Sequence, residues 1–125
     1  MSIYFIYEKP EFSAKSFLEN TDPMDNICEF KIGESINPVE RCKTLQTGNK
    51  RKLIIYKTVF CGTKQQAQAI EASIHDRYAN SRISGEWFKI SKHEVDQVIQ
   101  EITRLHDAEI IAAQRRHVTA FINLS

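Results

Sequence analysis

The feature that most constrains this chain is its opening run, Ile3 to Tyr7, which reads IYFIY without a polar interruption. Five consecutive β-branched or aromatic residues favour a strand. A strand alternates its side chains between two faces, so a run with no polar member needs cover on both. That predicts a buried strand with layers above and below it.

The remaining elements supply those layers. Residues Ile27 to Gly33 (ICEFKIG) alternate apolar with polar and predict a second strand, ended by Gly33. Leu53 to Phe60 (LIIYKTVF) is near-continuously apolar and predicts a third, central strand. Trp87, Phe88 and Ile90 predict a short fourth one. Asn37 as cap and Pro38 at the first helical position open a helix whose apolar face is Val39, Cys42 and Leu45, closed by Gly48. Thr63 with Gln66 forms a capping-box pair ahead of a helix to about Tyr78, with Ala67, Ile70, Ile74 and Tyr78 on its apolar face. Ser91 with Glu94 repeats that signature, and the helix behind it runs to about Arg116. The polar stretch from Pro10 to Asn26 carries several breakers and room for one or two helical turns around Phe12 and Phe17.

The order β-β-α-β-α-β-α predicts an α/β (α+β) fold: a small mixed or antiparallel sheet of three to four strands flanked by helices, with a long C-terminal helix. The length of 125 residues predicts one domain, 1–125, with a core over about 2–95 and the final helix over about 92–116. Such a chain buries roughly two-thirds of its unfolded surface and needs no metal or disulfide staple.

The formal net charge of +1 is far from the large positive excess of a dedicated non-specific DNA binder. Basic groups for nucleic acid must therefore be local, and two clusters exist: Lys50, Arg51 and Lys52, and the pair Arg115 and Arg116. Cys28, Cys42 and Cys61 are widely spaced, form no CxxC pair, and predict reduced thiols in an intracellular compartment, cytoplasm or nucleus. No segment approaches the roughly 20 apolar residues that span a bilayer, and the N-terminus lacks a signal-peptide pattern, so no membrane partner is expected.

Five short elements then stand in a telling order: Ser2-Ile3-Tyr4, Lys31-Ile32-Gly33, Arg41, Glu71 with His75 four residues on, and Gly85-Glu86-Trp87-Phe88. Together they resemble the GIY-YIG nuclease superfamily, and within it the phage, viral and fungal branch typified by meiotically up-regulated gene 113, whose second motif reads KIG. The resemblance spans roughly residues 2 to 95. It departs from the wider pattern at Ser2, at Lys31 in place of the second tyrosine, and in lacking a clear counterpart of the late Asn, for which Asn80 is the nearest residue.

The resemblance implies a metal-dependent endonuclease that hydrolyses DNA phosphodiesters. Glu71 would hold one Mg²⁺ (or Mn²⁺), a cation that prefers oxygen ligands and keeps most of its waters. Tyr4 would activate the attacking water, and needs nearby positive charge because a free phenol has a pKa near 10. Lys31 would supply that charge or touch phosphate directly. Arg41 has the planar fork suited to phosphate oxygens. His75, one helical turn beyond Glu71, would move a proton or orient water. Arg41, Lys31 and the Lys50, Arg51, Lys52 run would contact nucleic acid.

Taken singly, each residue has a plainer reading. Tyr4 in an apolar strand is a core aromatic, Arg41 and Glu71 are solvated charges, His75 is structural, Trp87 and Phe88 pack, and Lys50 to Lys52 form a solvated run. Tyr7 substitutes for Tyr4 only if the strand is irregular, since odd spacing reverses the side chain. The near-neutral charge points to a separate DNA-targeting partner or to a homodimer, for which the apolar positions from Val95 to Ile111 offer a seam. The alternative function is a non-catalytic nucleic-acid-binding or structural protein of a virus or mobile element. No Gly-rich phosphate loop or nucleophile motif supports a metabolic enzyme.

Overall fold

In a computed structural model, described over residues 1–10, 27–105 and 107, the opening run is the strand β1, Ser2–Glu8. Its neighbours are β2 (Glu29–Ser35) and β3 (Leu53–Phe60), both antiparallel to it. Two short strands, β4 (Arg82–Ser84) and β5 (Trp87–Lys89), form a hairpin that adds to the far side of β2. The sheet is antiparallel throughout, in the order β3-β1-β2-β5-β4. β4 was not legible in the sequence, because Arg-Ile-Ser is too short to show a period.

Among the described residues three helices cover this sheet: α1 (Pro38–Gln46), α2 (Lys64–Arg77) and α3, a helix over residues 92–105. Asn37 accepts from the Glu40 N–H, and Thr63 with Gln66 completes a reciprocal capping box. The Glu94 N–H bonds the Ser91 hydroxyl at the head of α3. Each such cap satisfies a backbone donor that a helix start leaves unpaired.

The alternation of β1 divides the core. Ile3, Phe5 and Tyr7 join Phe30, Ile32, Val59 and Phe88 beneath α2 and α3, which contribute Ala67, Ile74, Val95, Val98 and Ile102. Tyr4 and Ile6 face the other way, with Leu53, Cys42, Leu45, Ile55 and Trp87 beneath α1. The uninterrupted IYFIY run is thus explained by three layers. Each large side chain buried there contributes on the order of 2 kcal/mol.

Two expectations are corrected. β3 lies at the sheet edge, not its centre. Its apolar run answers cover on both faces, Leu53 and Ile55 under α1 and Ile54 and Tyr56 against the opposite cluster. Apolar content reports the faces of a strand and is blind to its lateral neighbours. Nor does Gly33 end β2, which continues to Ser35. That glycine lies mid-strand, directly opposite Tyr4.

No helix among the described residues is long and apolar enough to cross a membrane. Among the described residues all three cysteines are free thiols. The helical turns proposed around Phe12 and Phe17, the extension of α3 to Arg116, and the pair Arg115 and Arg116 lie outside the described residues.

Candidate active site

Tyr4 reaches its position because β1 and β2 pair with Tyr4 opposite Gly33. The phenol lies over that glycine so closely that a Cβ there would collide with the Tyr4 Oη, and Glu86 Oε2 would stand 3.0 Å from the same point. On the α1 side, Arg41 hydrogen-bonds the phenol oxygen. Asn37 and Pro38 start α1 immediately after β2, which puts Arg41, in the first turn, at the Tyr4 end of the sheet. Tyr4 is only 1% exposed. Burial raises its pKa above the ordinary phenol value, the Arg41 hydrogen bond opposes this, and the charge of Glu86 adds to it.

Glu71 approaches from α2, the layer on the opposite face of the sheet. It can do so because β5 pairs only with Glu29 to Lys31 of β2. The next residue, Ile32, gives its N–H to the Glu86 carbonyl at 3.0 Å and receives His75 Nε2 on its own carbonyl at 2.9 Å. Where the β2–β5 pairing ends, beyond Lys31, α2 meets β2 through the His75–Ile32 contact, and this break in the pairing is the notch that Glu71 adjoins. Glu71 and His75 are each 16% exposed by side chain, with His75 Nε2 3.7 Å from Glu71 Oε1.

The electrostatics of this notch are strained. Burial, then the charges of Glu86 and Glu34, push Glu71 up to about 7, while Lys31 pulls it back. One buried oxygen of Glu34 has no hydrogen-bond partner. The ammonium of Lys31, 14% exposed by side chain, is 3.5 Å from Glu86 Oε2 and 5.9 Å from the centre of the Trp87 ring.

The structure therefore brings Tyr4, Arg41, Glu71, His75 and Lys31 to one end of the sheet. Lys31 pairs with Ile6 and not with Tyr4, so the cation at the phenol is Arg41, and Lys31 stands one step away against Glu86. His75 Nε2 must carry its proton, since a carbonyl can only accept. That contact and the ring packing on Phe88 at 4.9 Å fit a brace between α2 and β2 better than a proton carrier. Lys50, Arg51 and Lys52 are not in the site. They precede Leu53, which pairs with Glu8, four residues from Tyr4 and thus roughly 13 Å along the strand. Tyr7 packs against Phe30 and Tyr56 on the opposite face, and Asn80 is exposed in the 3₁₀ turn Ala79–Ser81.

Glu86 and Glu34 join the site without a signal in sequence: Glu86 lies in the Gly85-Glu86-Trp87-Phe88 motif, whose aromatic residues alone carry a readable packing role. Only the tertiary turn shows where its carboxylate lies.

A family model described as T5orf172 domain matches residues 2–103. The chain belongs to the T5orf172 domain family. T5orf172 domains are phage-associated and related to GIY-YIG and HNH-type nuclease-like domains. The matched span takes in every T5orf172 residue placed at the site above, from Tyr4 to Glu86. No curated protein and no solved structure matches the chain.

Proposed function

We propose that this T5orf172 protein is a metal-dependent endonuclease hydrolysing DNA phosphodiester bonds, of the KIG-type branch of the GIY-YIG nucleases. The observation that carries this reading is the convergence of Tyr4, Arg41 and Glu71 at the Gly33 end of the sheet, from three different elements. A core tyrosine and two solvated charges have no reason to meet in this way.

The residues fit a Mg²⁺ or Mn²⁺ ion. Glu71 is raised to about 7 first by burial and then by the charges of Glu86 and Glu34, and one buried Glu34 oxygen has no partner. A carboxylate oxygen is the donor type that a hard divalent cation prefers. Among the described residues no three acidic, His or Cys groups converge to cage a metal, so Glu71 would be its protein ligand with water completing the shell. Such an ion, when bound, supplies positive charge to the phosphoryl oxygens.

The chain's own groups do the rest. Arg41 binds the non-bridging oxygens of the scissile phosphate. Tyr4 orients the attacking water and takes its proton once the phenol is ionised, which the Arg41 hydrogen bond favours. As the water oxygen bonds to phosphorus, the P–O bond to the leaving sugar oxygen breaks and that alkoxide takes a proton from solvent water. The partners of this reading are DNA, and either a separate DNA-targeting protein or a second copy joined through the C-terminal helix. A virus- or phage-encoded, intracellular setting follows from it.

Incubating the pure protein with plasmid DNA in Mg²⁺, in Mn²⁺ and in chelator tests the proposal. Metal-dependent nicking that disappears in Glu71→Ala and Tyr4→Phe supports it. A wild type that nicks nothing in any metal, or variants that nick as well as it does, rejects it. The second reading, a non-catalytic DNA-binding domain, draws on the burial of Tyr4 and its raised pKa. Metal-independent DNA binding without nicking would establish that one instead.

A further inference from the structure

Glu86 takes no part in the reaction steps proposed above, yet its carboxylate stands beside Gly33 and Lys31 and its charge acts on both Tyr4 and Glu71. The turn that carries it is built for the purpose. Gly85 adopts φ of 53°, a conformation that favours glycine, and the next residue docks its backbone carbonyl on the Ile32 N–H. This anchors Glu86 to the edge of β2 independently of its side chain. The carboxylate then points over Gly33, where Glu86 Oε2 meets the Lys31 ammonium at 3.5 Å.

Lys31 on an open strand face has four rotatable bonds and would otherwise extend to solvent. Here it is held on two sides, by the Glu86 carboxylate and by the Trp87 ring, and is 14% exposed by side chain. Both holders come from adjacent residues of one turn. An exposed ion pair alone contributes little to stability. A pair that confines a cation at the rim of a reactive tyrosine has a different use.

We propose that Glu86 is a positioning residue of this site, holding the Lys31 ammonium over the Gly33 floor so that it meets the phosphate opposite Arg41. This rests on the nuclease reading. The phosphate then lies between two fixed cations from α1 and β2, with the Tyr4 phenol beneath it. Glu86 itself touches neither phosphate nor water.

The two ways in which Glu86 acts predict opposite signs. If it acts only as a negative charge beside Tyr4, Glu86→Gln frees the phenol and speeds nicking. If it positions Lys31, the same variant slows it. The experiment compares plasmid nicking by wild type, Glu86→Gln, Glu86→Asp, Lys31→Met and the Glu86→Gln/Lys31→Met double variant, each in Mg²⁺ and Mn²⁺.

The expected result is a drop in kcat of about tenfold for Glu86→Gln and for Lys31→Met, with KM within about threefold. The double variant falls no further than Lys31→Met alone, because both changes remove one arrangement. Glu86→Asp recovers part of the rate, and serves in place of Glu86→Gln should that variant not fold. Multiplying losses in the double variant, a wild-type kcat in Glu86→Gln, or a faster one, overturns the inference while leaving the nuclease reading intact. A wild type silent in both metals overturns both.

Discussion

The phenol of Tyr4 occupies the space that a side chain at Gly33, its direct cross-strand partner, would fill. The glycine is needed for that close approach and not for backbone freedom, since its φ is not among the positive ones. Gly33→Ala should therefore act by sterics alone. It is expected to lower stability by about 1–3 kcal/mol and to displace Tyr4, reducing nicking together with stability. Urea unfolding measures the first effect, and a change below about 0.5 kcal/mol would contradict the packing described.

Glu71 gives a pH-dependent signature. Its pKa of about 7 in the folded chain lies above the ordinary 4.5 of an unfolded glutamate, chiefly through burial. The folded state therefore binds the extra proton, and the stability from this group is complete below about 4.5 and lost as pH rises through 7. Glu71→Gln, neutral at every pH, should match wild type near pH 5 and exceed it near pH 8 by on the order of 1–3 kcal/mol. Added Mg²⁺ should raise the unfolding midpoint of wild type at pH 8 and leave that of Glu71→Gln unmoved. Equal pH profiles for the two proteins would refute this account of the notch.

Arg41 is a guanidinium that bonds a buried phenol oxygen and has further N–H donors in its planar fork. An ammonium cannot serve both partners with the same geometry. Arg41→Lys should keep the fold and reduce kcat by about tenfold to a hundredfold, since a preorganised donor is worth several kcal/mol at the transition state. Steady-state nicking rates check it, and a kcat within twofold of wild type would remove Arg41 from the mechanism.

Away from the site, Asp96 on α3 accepts from the Tyr56 hydroxyl at 2.7 Å and from Lys57 Nζ at 3.0 Å, tying that helix to β3. Burial works against its charge, but the bonds from Tyr56 and Lys57 win and hold its pKa below the ordinary 3.8. Its contribution is therefore present above 3.8 and lost as pH falls through the lower folded value. Tyr56, half-buried beside that carboxylate, is pushed up to about 12 by desolvation and then by its bond to Asp96. Asp96→Asn should cost about 1 kcal/mol, bring the Tyr56 phenolate titration down towards 10, and leave nicking unchanged. Ultraviolet titration of the tyrosines reads this directly, and an unmoved transition would show that the bond does not form.

Much of the fold was legible because it is local. IYFIY could only be a strand covered on both faces, and Asn37-Pro38, Thr63 with Gln66, and Ser91 with Glu94 mark helix starts through chemistry within four residues. The order of Tyr4, Arg41, Glu71 and the KIG motif pointed to one site for the same reason: each motif travels with its own element.

What tertiary structure alone decided is lateral and long-range. Whether Leu53–Phe60 lies at the centre or the edge depends on which strands pair, and its apolar pattern is the same either way. Gly33 reads as a terminator in sequence and becomes a mid-strand floor only when Tyr4 is set opposite it. The notch through which Glu71 reaches the site exists because the β4–β5 hairpin stops at Lys31, a fact of register between segments more than fifty residues apart. Burial and charge at Glu71, and the hold of Glu86 on Lys31, follow from that register. Pairing register is set by the sum of contacts across the sheet, and no single segment encodes it.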